Sequence, residues 1–239
     1  VDEIAKMSLI EHLEELRYRL FVIVGFVFGF SLICFVFVDF LRGIILLPAH
    51  DLSLVYLSPP EAFLANLRLS FTAGLFFSLP IILYQILAFM LPGFYKEERK
   101  VLIPSFLAIG FLFYLGLVFS YFVVFPLAIN FFLGFAGEKL VPMFTFQNYL
   151  GFFSRFHFAF SIVFQLPLVL LILGILGVVS YVSLARIRKY AVLIIIIVSA
   201  VLTPPDFFSQ LLMVGPLYLL FEFGLILIRI IEKRRKQIQ

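Results

Sequence analysis

Few residues in this chain have the types and spacing that chemistry needs. Ser154, His157 and Ser161 share one apolar run, and helical spacing would bring them to one side. That is a weak arrangement for catalysis, because a nucleophilic serine needs its base presented from a facing element. His-Glu-x-x-His, a phosphate-binding Walker loop and Gly-x-Ser-x-Gly do not occur in the sequence. The one cysteine, Cys34, lies inside an apolar run and reads as a small hydrophobe rather than a disulfide or metal ligand. No catalytic residue, metal site or cofactor is assigned.

Carboxylates offer more. Glu11, Glu14 and Glu15 stand beside Arg17 and Arg19 before the first apolar run, and Glu97 and Glu98 stand beside Arg99 and Lys100 further on. Acidic groups gathered among basic ones suit a docking site for a basic ligand, since a carboxylate takes a guanidinium in a charge-assisted contact. The plain alternative is solvated pairing between residues four apart on a helix. Within the apolar runs themselves lie Arg155, Gln165 and Glu222. Polar groups at membrane depth are costly and tend to face a bundle interior or water. Their plain alternatives are snorkelling for Arg155, an interhelical amide bond for Gln165 and an ion pair for Glu222.

The elements that must position these groups are membrane helices. Of 239 residues, 64% are hydrophobic and only 13% charged, with 34 Phe and no Trp. Soluble domains carry about 25% charged residues, so this chain cannot coat itself for water. That excludes a soluble enzyme, a nucleic-acid reader and a disordered scaffold, and the net charge of +4 matters less than where the basic residues fall. Six spans are expected, at about residues 20–38, 69–91, 101–127, 151–179, 190–202 and 204–228, in a single membrane domain over 1–239. The first run is too long for a signal-peptide core and reads as an anchor. Fourteen Lys and Arg side chains fall on one side of this layout and three on the other. The positive-inside rule then puts both termini in the cytoplasm.

Ser8 to Glu11 reads as a capping box, and Leu9, Leu13, Leu16 and Leu20 form a stripe at helical spacing. An amphipathic helix over about 8–19, lying on the inner face and leading into span one, is therefore expected. Ser58-Pro59-Pro60-Glu61 reads as a second capping box, and Thr203-Pro204-Pro205-Asp206 repeats its logic. The outward connections, about 39–68 and 128–150, are semi-apolar and are expected to form a cap. Span five covers 190–202, and at 1.5 Å per residue it reaches only about 20 Å, short of a hydrocarbon core of about 30 Å. Its turn is expected to sit below the outer interface, beside thinned bilayer or a water-filled recess and a partner's membrane helix, with Gln210 as a polar contact. The plain alternative is that Tyr190 and its neighbours snorkel and the helix runs a little longer.

Taken together, these strings resemble the TatC family, the large polytopic subunit of the twin-arginine protein translocase. The resemblance rests on His12-Leu13-Glu14-Glu15-Leu16-Arg17, Pro48, Ser58-Pro59-Pro60-Glu61-Ala62-Phe63, Leu83-Tyr84-Gln85, Ala88-Phe89, Pro92-Gly93, Tyr95-Lys96 and Glu98-Arg99. It continues through Phe113, Gly116, Tyr121-Phe122, Phe125-Pro126, Leu202-Thr203-Pro204-Pro205-Asp206, Ser209-Gln210 and Phe221-Glu222, and so covers essentially the whole chain. The family implies an all-α integral membrane protein of the prokaryotic cytoplasmic (inner) membrane, its six helices in a concave, glove-like bundle with the fifth and sixth spans short. It implies a receptor for twin-arginine signal peptides on folded cargo, working with TatA- and TatB-type single-span subunits, self-associating in the complex and driven by the proton-motive force. On that reading Glu15, Glu98, Arg17, Phe89 and Arg99 bind the signal peptide. Gln165 lines the concave face, while Pro48, Glu61, Asp206, Gln210 and Glu222 serve partner contact or structure.

One departure stands out: the family carries Glu in a Phe-Glu-x-Pro context where this chain has Phe164-Gln165-Leu166-Pro167. An amide keeps the hydrogen bonding and cannot titrate. The competing classes are an ion-coupled transporter of a small solute, which also uses short helices and midplane polar groups, and an assembly scaffold. No inverted repeat is visible, and few charges lie within the spans for ion coupling.

Overall fold

A computed structural model describes residues 9–49, 54–93, 96–134, 143–175, 177–202 and 207–238. The Ser8 cap and the Thr203–Asp206 turn therefore lie outside the described residues. The chain divides into two compact units, Val1–Gly110 with Met143–Leu150, and Phe111–Pro142 with Gly151–Gln239.

In the first unit, α1 (Leu9–Val36) runs without interruption, so the stretch 8–19 is not a separate element. The residues around 17–20 contain no Gly or Pro that would end a helix. After a turn at Phe37, α2 (Val38–Leu46) and a 3-10 turn at Leu47–Ala49, holding Pro48, lead to the short strand β1 (Leu54–Val55). Then α3 (Pro59–Met90) begins with two prolines at its first positions. The expected capping box at Ser58 forms only in part. Ser58 is extended and makes no side-chain cap bond, while the Leu57 N–H donates to Glu61 Oε2 at 2.8 Å. The reason is local: Pro60 has no N–H to offer, and the Glu61 N–H already bonds the Ser58 carbonyl at 3.1 Å.

The described residues of the connection at about 39–68 are more structured than a loop. Residues 38–46 and 59–68 are helical, and β1 pairs in parallel with β2 (Phe144–Thr145), in the register Leu54 with Phe144 and Val55 with Thr145. This two-residue pair is the departure from an all-helical chain. Arg42 ties the region together: it donates to Asn66 Oδ1 at 2.9 Å, pairs with Asp39 at 3.2 Å and lies over the Phe146 ring. The Tyr149 hydroxyl donates to the Ile45 carbonyl at 2.7 Å.

Helices α1 and α3 pack antiparallel, with His12 against Phe89 at one end and Phe35 against Phe63 at the other. At their crossing Gly74 lets the backbones close: a Cβ there would lie 2.6 Å from the Ser31 nitrogen and 2.7 Å from its Cα. Small residues of this kind let membrane helices pack without a hydrophobic driving force.

Helix α4 (Lys96–Phe119) runs through the unit boundary and passes into a π turn, Ser120–Val124, and then α5 (Phe125–Leu133). Pro126 explains the π turn, because it lacks the N–H that would close an α turn on the Phe122 carbonyl. Helix α6 (Phe146–Val163) stops just before Gln165, and α7 (Leu166–Ile175) resumes with Pro167 near its start. The Gln165 N–H reaches back only three residues, to Ile162, at 3.0 Å. Gly177, with φ +75, lets the chain turn after α7 in a conformation that suits glycine. Ser180 and Ser183 form a complete capping box on α8 (Tyr181–Arg186), which is followed by α9 (Arg188–Leu202) and α10 (Phe207–Ile238). Helix α10 is the spine of this unit: Gly224 brings it against α7, where a Cβ would lie 2.7 Å from Leu170 Cδ1, and Phe208 stacks on Phe131 of α5.

Five helical stretches of the described residues are long and apolar enough to cross a membrane: Ile10–Val36, Pro59–Gly93, Leu102–Leu133, Phe146–Ile175 and Phe207–Lys233. Helix α9, the expected fifth crossing, has 15 residues and reaches about 22 Å. The last helix is not short, contrary to expectation. At 32 residues it reaches about 48 Å, because its apolar run continues into the basic C-terminal segment without a helix breaker.

Candidate functional site

Helical spacing puts the side chains of His12, Glu15 and Arg19 on one face of α1, and those of Gln85 and Phe89 on one face of α3. The two faces meet in the first unit. His12 stacks on Phe89, with ring centroids 4.3 Å apart and planes 14° from parallel. Arg19 donates from Nε to Glu15 Oε1 at 2.9 Å and from Nη1 to Gln85 Oε1 at 3.0 Å. Both charged side chains are largely covered, Glu15 to 17% exposure and Arg19 to 20%. The other carboxylate oxygen, Glu15 Oε2, is buried and has no hydrogen-bond partner among the described residues.

This face is polar and packed, while the leucine stripe looks outward: Leu13, Leu16 and Leu20 are all exposed. Such an arrangement fits a helix flanked by lipid, where leucines need no protein cover and charged groups turn inward to pair. Phe89 therefore has one ring face already occupied by His12. Arg17 is exposed on the opposite side of α1, and Arg99 is partly covered in the first turns of α4. The Glu98 side chain lies outside the described residues, so of the expected peptide-binding set only Glu15 and Phe89 are seen on the same packed face. His12, Arg19 and Gln85 complete that face. The sequence signal for them was the spacing of four between Glu15 and Arg19 and between Gln85 and Phe89.

The other expected residues fall into separate local roles. Pro48 sits in its 3-10 turn, and Glu61 is buried as a cap on α3. Asp206 lies outside the described residues. Gln210 Nε2 donates to the Ile196 carbonyl at 3.1 Å, tying α10 to α9. Gln165 Nε2 donates to the Ser161 carbonyl at 3.1 Å, and its Oε1 is buried without a hydrogen-bond partner among the described residues. Arg155 is exposed and bonds its own helix at the Gly151 carbonyl, as a snorkelling side chain would.

Glu222 joins a clamp between α9 and α10, accepting from Arg188 Nη2 at 2.9 Å and from the Tyr218 hydroxyl at 3.0 Å. Nearby, Glu232 accepts from the Tyr181 N–H at 2.8 Å and Arg229 lies over the Tyr181 ring. Arg188 is nearly half exposed, so solvent screens the pair and either Arg188→Ala or Glu222→Ala should cost about 1 kcal/mol. The double variant should cost no more than the larger single one, measured by thermal unfolding in detergent, because both remove one shared contact.

Among the described residues no group of three or more His, Cys, Asp or Glu could hold a metal ion. The packed face on unit one offers a partly covered carboxylate that holds a guanidinium, with an amide and an aromatic ring beside it.

A family model described as "Sec-independent protein translocase protein (TatC)" matches residues 11–216. The TatC protein of Carboxydothermus hydrogenoformans is 39% identical over 95% of this chain and 95% of its own length. That of Aquifex aeolicus is 37% identical over 98% of this chain and 99% of its own. A crystal structure of the twin arginine translocase receptor TatC in DDM is similar at a TM-score of 0.76, with 35% identity over 91% of this chain and 99% of that one. A second crystal structure of that receptor gives 0.74, with 35% identity over 92% and 99%. This chain, with its several membrane-length helices and its guanidinium-holding carboxylate, belongs to the TatC family of Sec-independent protein translocase proteins, a family of translocase components rather than of catalytic enzymes.

Proposed function

We propose that this chain is the receptor subunit that binds twin-arginine signal peptides on the cytoplasmic side of a bacterial inner membrane. The observation that carries the reading is the Glu15 carboxylate, which is mostly buried and already holds a guanidinium, that of Arg19, braced by Gln85. A site that fits one guanidinium can exchange it for another. A peptide arginine would take the place of Arg19 on Glu15, while Glu98 takes the second arginine of the pair. Phe89 would border the path of the rest of the peptide, and Arg17, on the exposed side of α1, and Arg99, in the first turns of α4, would meet it outside that face. The relatives described as twin arginine translocase receptors support this assignment.

Six crossings, the sixth supplied by short α9 in a thinned bilayer, would place both termini in the cytoplasm, where the basic residues concentrate. TatA- and TatB-type single-span subunits would dock in the membrane, self-association would complete the complex, and the proton-motive force would drive transport. Gln165, half-buried at the break between α6 and α7, would supply a polar contact to such a partner. Membership of the translocase family leaves the small-solute transporter without support.

The test is peptide affinity in detergent. A twin-arginine peptide should bind more tightly than its twin-lysine counterpart, because lysine lacks the planar fork that matches a carboxylate. Binding should weaken as salt rises, and Glu98→Ala should lower affinity about tenfold if one charge-assisted contact of about 1.5 kcal/mol is lost. Equal affinity for both peptides would move recognition elsewhere on the protein.

A further inference from the structure

Ser154, His157, Ser161 and Gln165 form a single stripe along α6 and the break that follows it, about 16 Å long. The stripe lies at the middle of the membrane-length run Phe146–Ile175. Its first three members are almost fully buried, with His157 at 1% exposure, Ser161 at 0% and Ser154 at 6%. His157 Nδ1 lies 2.8 Å from the Phe153 carbonyl, which can only accept, so Nδ1 carries the proton. In the neutral ring Nε2 is then an acceptor, and it is buried without a hydrogen-bond partner among the described residues.

The serines are just as unusual. Ser31, Ser70, Ser78 and Ser199 each donate to a carbonyl three or four residues back on their own helix. The hydroxyls of Ser120, Ser154 and Ser161 are buried and make no such bond. Ser120 opens the π turn, and the residues on either side of it pack on α6: Phe119 on Phe160 and Phe164, Tyr121 on Phe153 and His157. Ser120, at 0% exposure, thus lies between the contacts that this turn makes with α6, one of which is to His157.

We propose that Ser120, Ser154, His157 and Ser161 bind internal water in the middle of the membrane. The donor set selects the ligand. Neutral hydroxyls and one neutral imidazole offer no charge to hold an anion, and no carboxylate or thiolate to hold a metal. A partner's side chain would need an open face, and this one is closed by the rings of Phe125, Phe153 and Tyr121 around His157. Water fits because it donates to His157 Nε2 and accepts from the serine hydroxyls, meeting the two to four polar partners that a buried water needs. The π turn and the α6–α7 break at Gln165 bracket this site, so the water stitches together a seam where both helices depart from regular hydrogen bonding.

Solid-state NMR of the protein in lipid bilayers, with nitrogen-15 histidine, tests the proposal. The chain has three histidines, and His157→Phe identifies the His157 signals. Magnetisation from water should reach the His157 ring, whose spectrum should show a protonated Nδ1 and a hydrogen-bonded, unprotonated Nε2. The double variant Ser120→Ala, Ser161→Ala should lose the water transfer while the Nδ1 signal persists. If that variant does not fold, the wild-type spectrum alone decides. No transfer from water, or a protonated Nε2, would overturn the proposal; a Nε2 bonded directly to a serine would give the first of these results.

Discussion

Arg19→Gln is expected to raise the affinity for a twin-arginine peptide, by about tenfold, while Glu15→Ala lowers it by at least as much. The two effects have one origin. Arg19 occupies Glu15 through its Nε and Nη2 atoms and reaches Gln85 through Nη1, so an incoming arginine must first displace it. Hydrogen bonds to charged groups contribute about 1.5–3 kcal/mol net, and about 1.4 kcal/mol is a tenfold change in binding. Removing the internal competitor returns part of that to the peptide, and removing its positive charge lessens repulsion of the ligand. Removing Glu15 takes away the acceptor itself. The same Arg19→Gln change should lower the stability of the free protein, because it leaves a largely covered carboxylate without its cation. Peptide should then raise the melting temperature of Arg19→Gln more than that of wild type, which titration of thermal unfolding in detergent measures. A fall in peptide affinity for Arg19→Gln would assign Arg19 to holding Glu15 in position rather than competing for it.

Gly74→Leu should be the most damaging substitution in the first unit. The added Cβ alone would meet the backbone of Ser31, with 2.6 Å to its nitrogen, and backbone cannot move aside as a flexible side chain can. Forcing extra carbons into a packed contact costs about 1–3 kcal/mol, and here two long helices would have to separate. Gly29→Leu is the control, since a Cβ at Gly29 meets nothing within 4 Å. Thermal unfolding in detergent should show a large drop for Gly74→Leu and little change for Gly29→Leu. Peptide binding should fall with the first variant as well, because α1 brings Glu15 and α3 brings Gln85 to the same face. Equal melting temperatures for the two variants would show that the crossing can open without penalty.

Much of the helical layout was legible because membrane-length apolar runs and prolines are local signals. Pro59 marks the start of α3, whereas 151–179 was expected as one span and the break between α6 and α7 beside Pro167 was not foreseen. Helix α9 was legible as short from its residue count. Other features arise only from tertiary contact. Nothing local announces that residues 54–55 will pair with 144–145, or that Gly74 will sit beneath Ser31. The capping box at Ser58 is incomplete because the Glu61 N–H, the donor that the motif relies on, bonds the Ser58 carbonyl instead, and Pro60 offers none in its place. The length of α10 was misjudged because charge at its C-terminal end marks the end of a span and not of a helix. At the candidate site Glu15 and Phe89 were visible as members of strings, but their company was not. Side chains at 12, 15 and 19 share a helical face, and only the packing of α3 reveals that this polar face turns inward, beside the exposed leucines.

The central claim is that Glu15 holds an arginine of the signal peptide by direct contact, and a double-mutant cycle tests it most directly. One axis is Glu15→Gln in the protein, the other is arginine to lysine at each position of the peptide's pair, with affinity measured for all combinations in detergent at one salt concentration. Groups that touch give non-additive effects, and a charge-assisted guanidinium contact should show a coupling of about 1.5–3 kcal/mol at one of the two arginines. A lysine elsewhere in the peptide should show none. Additive effects at both arginines would contradict the account, and the carboxylate that reads the pair would then lie elsewhere.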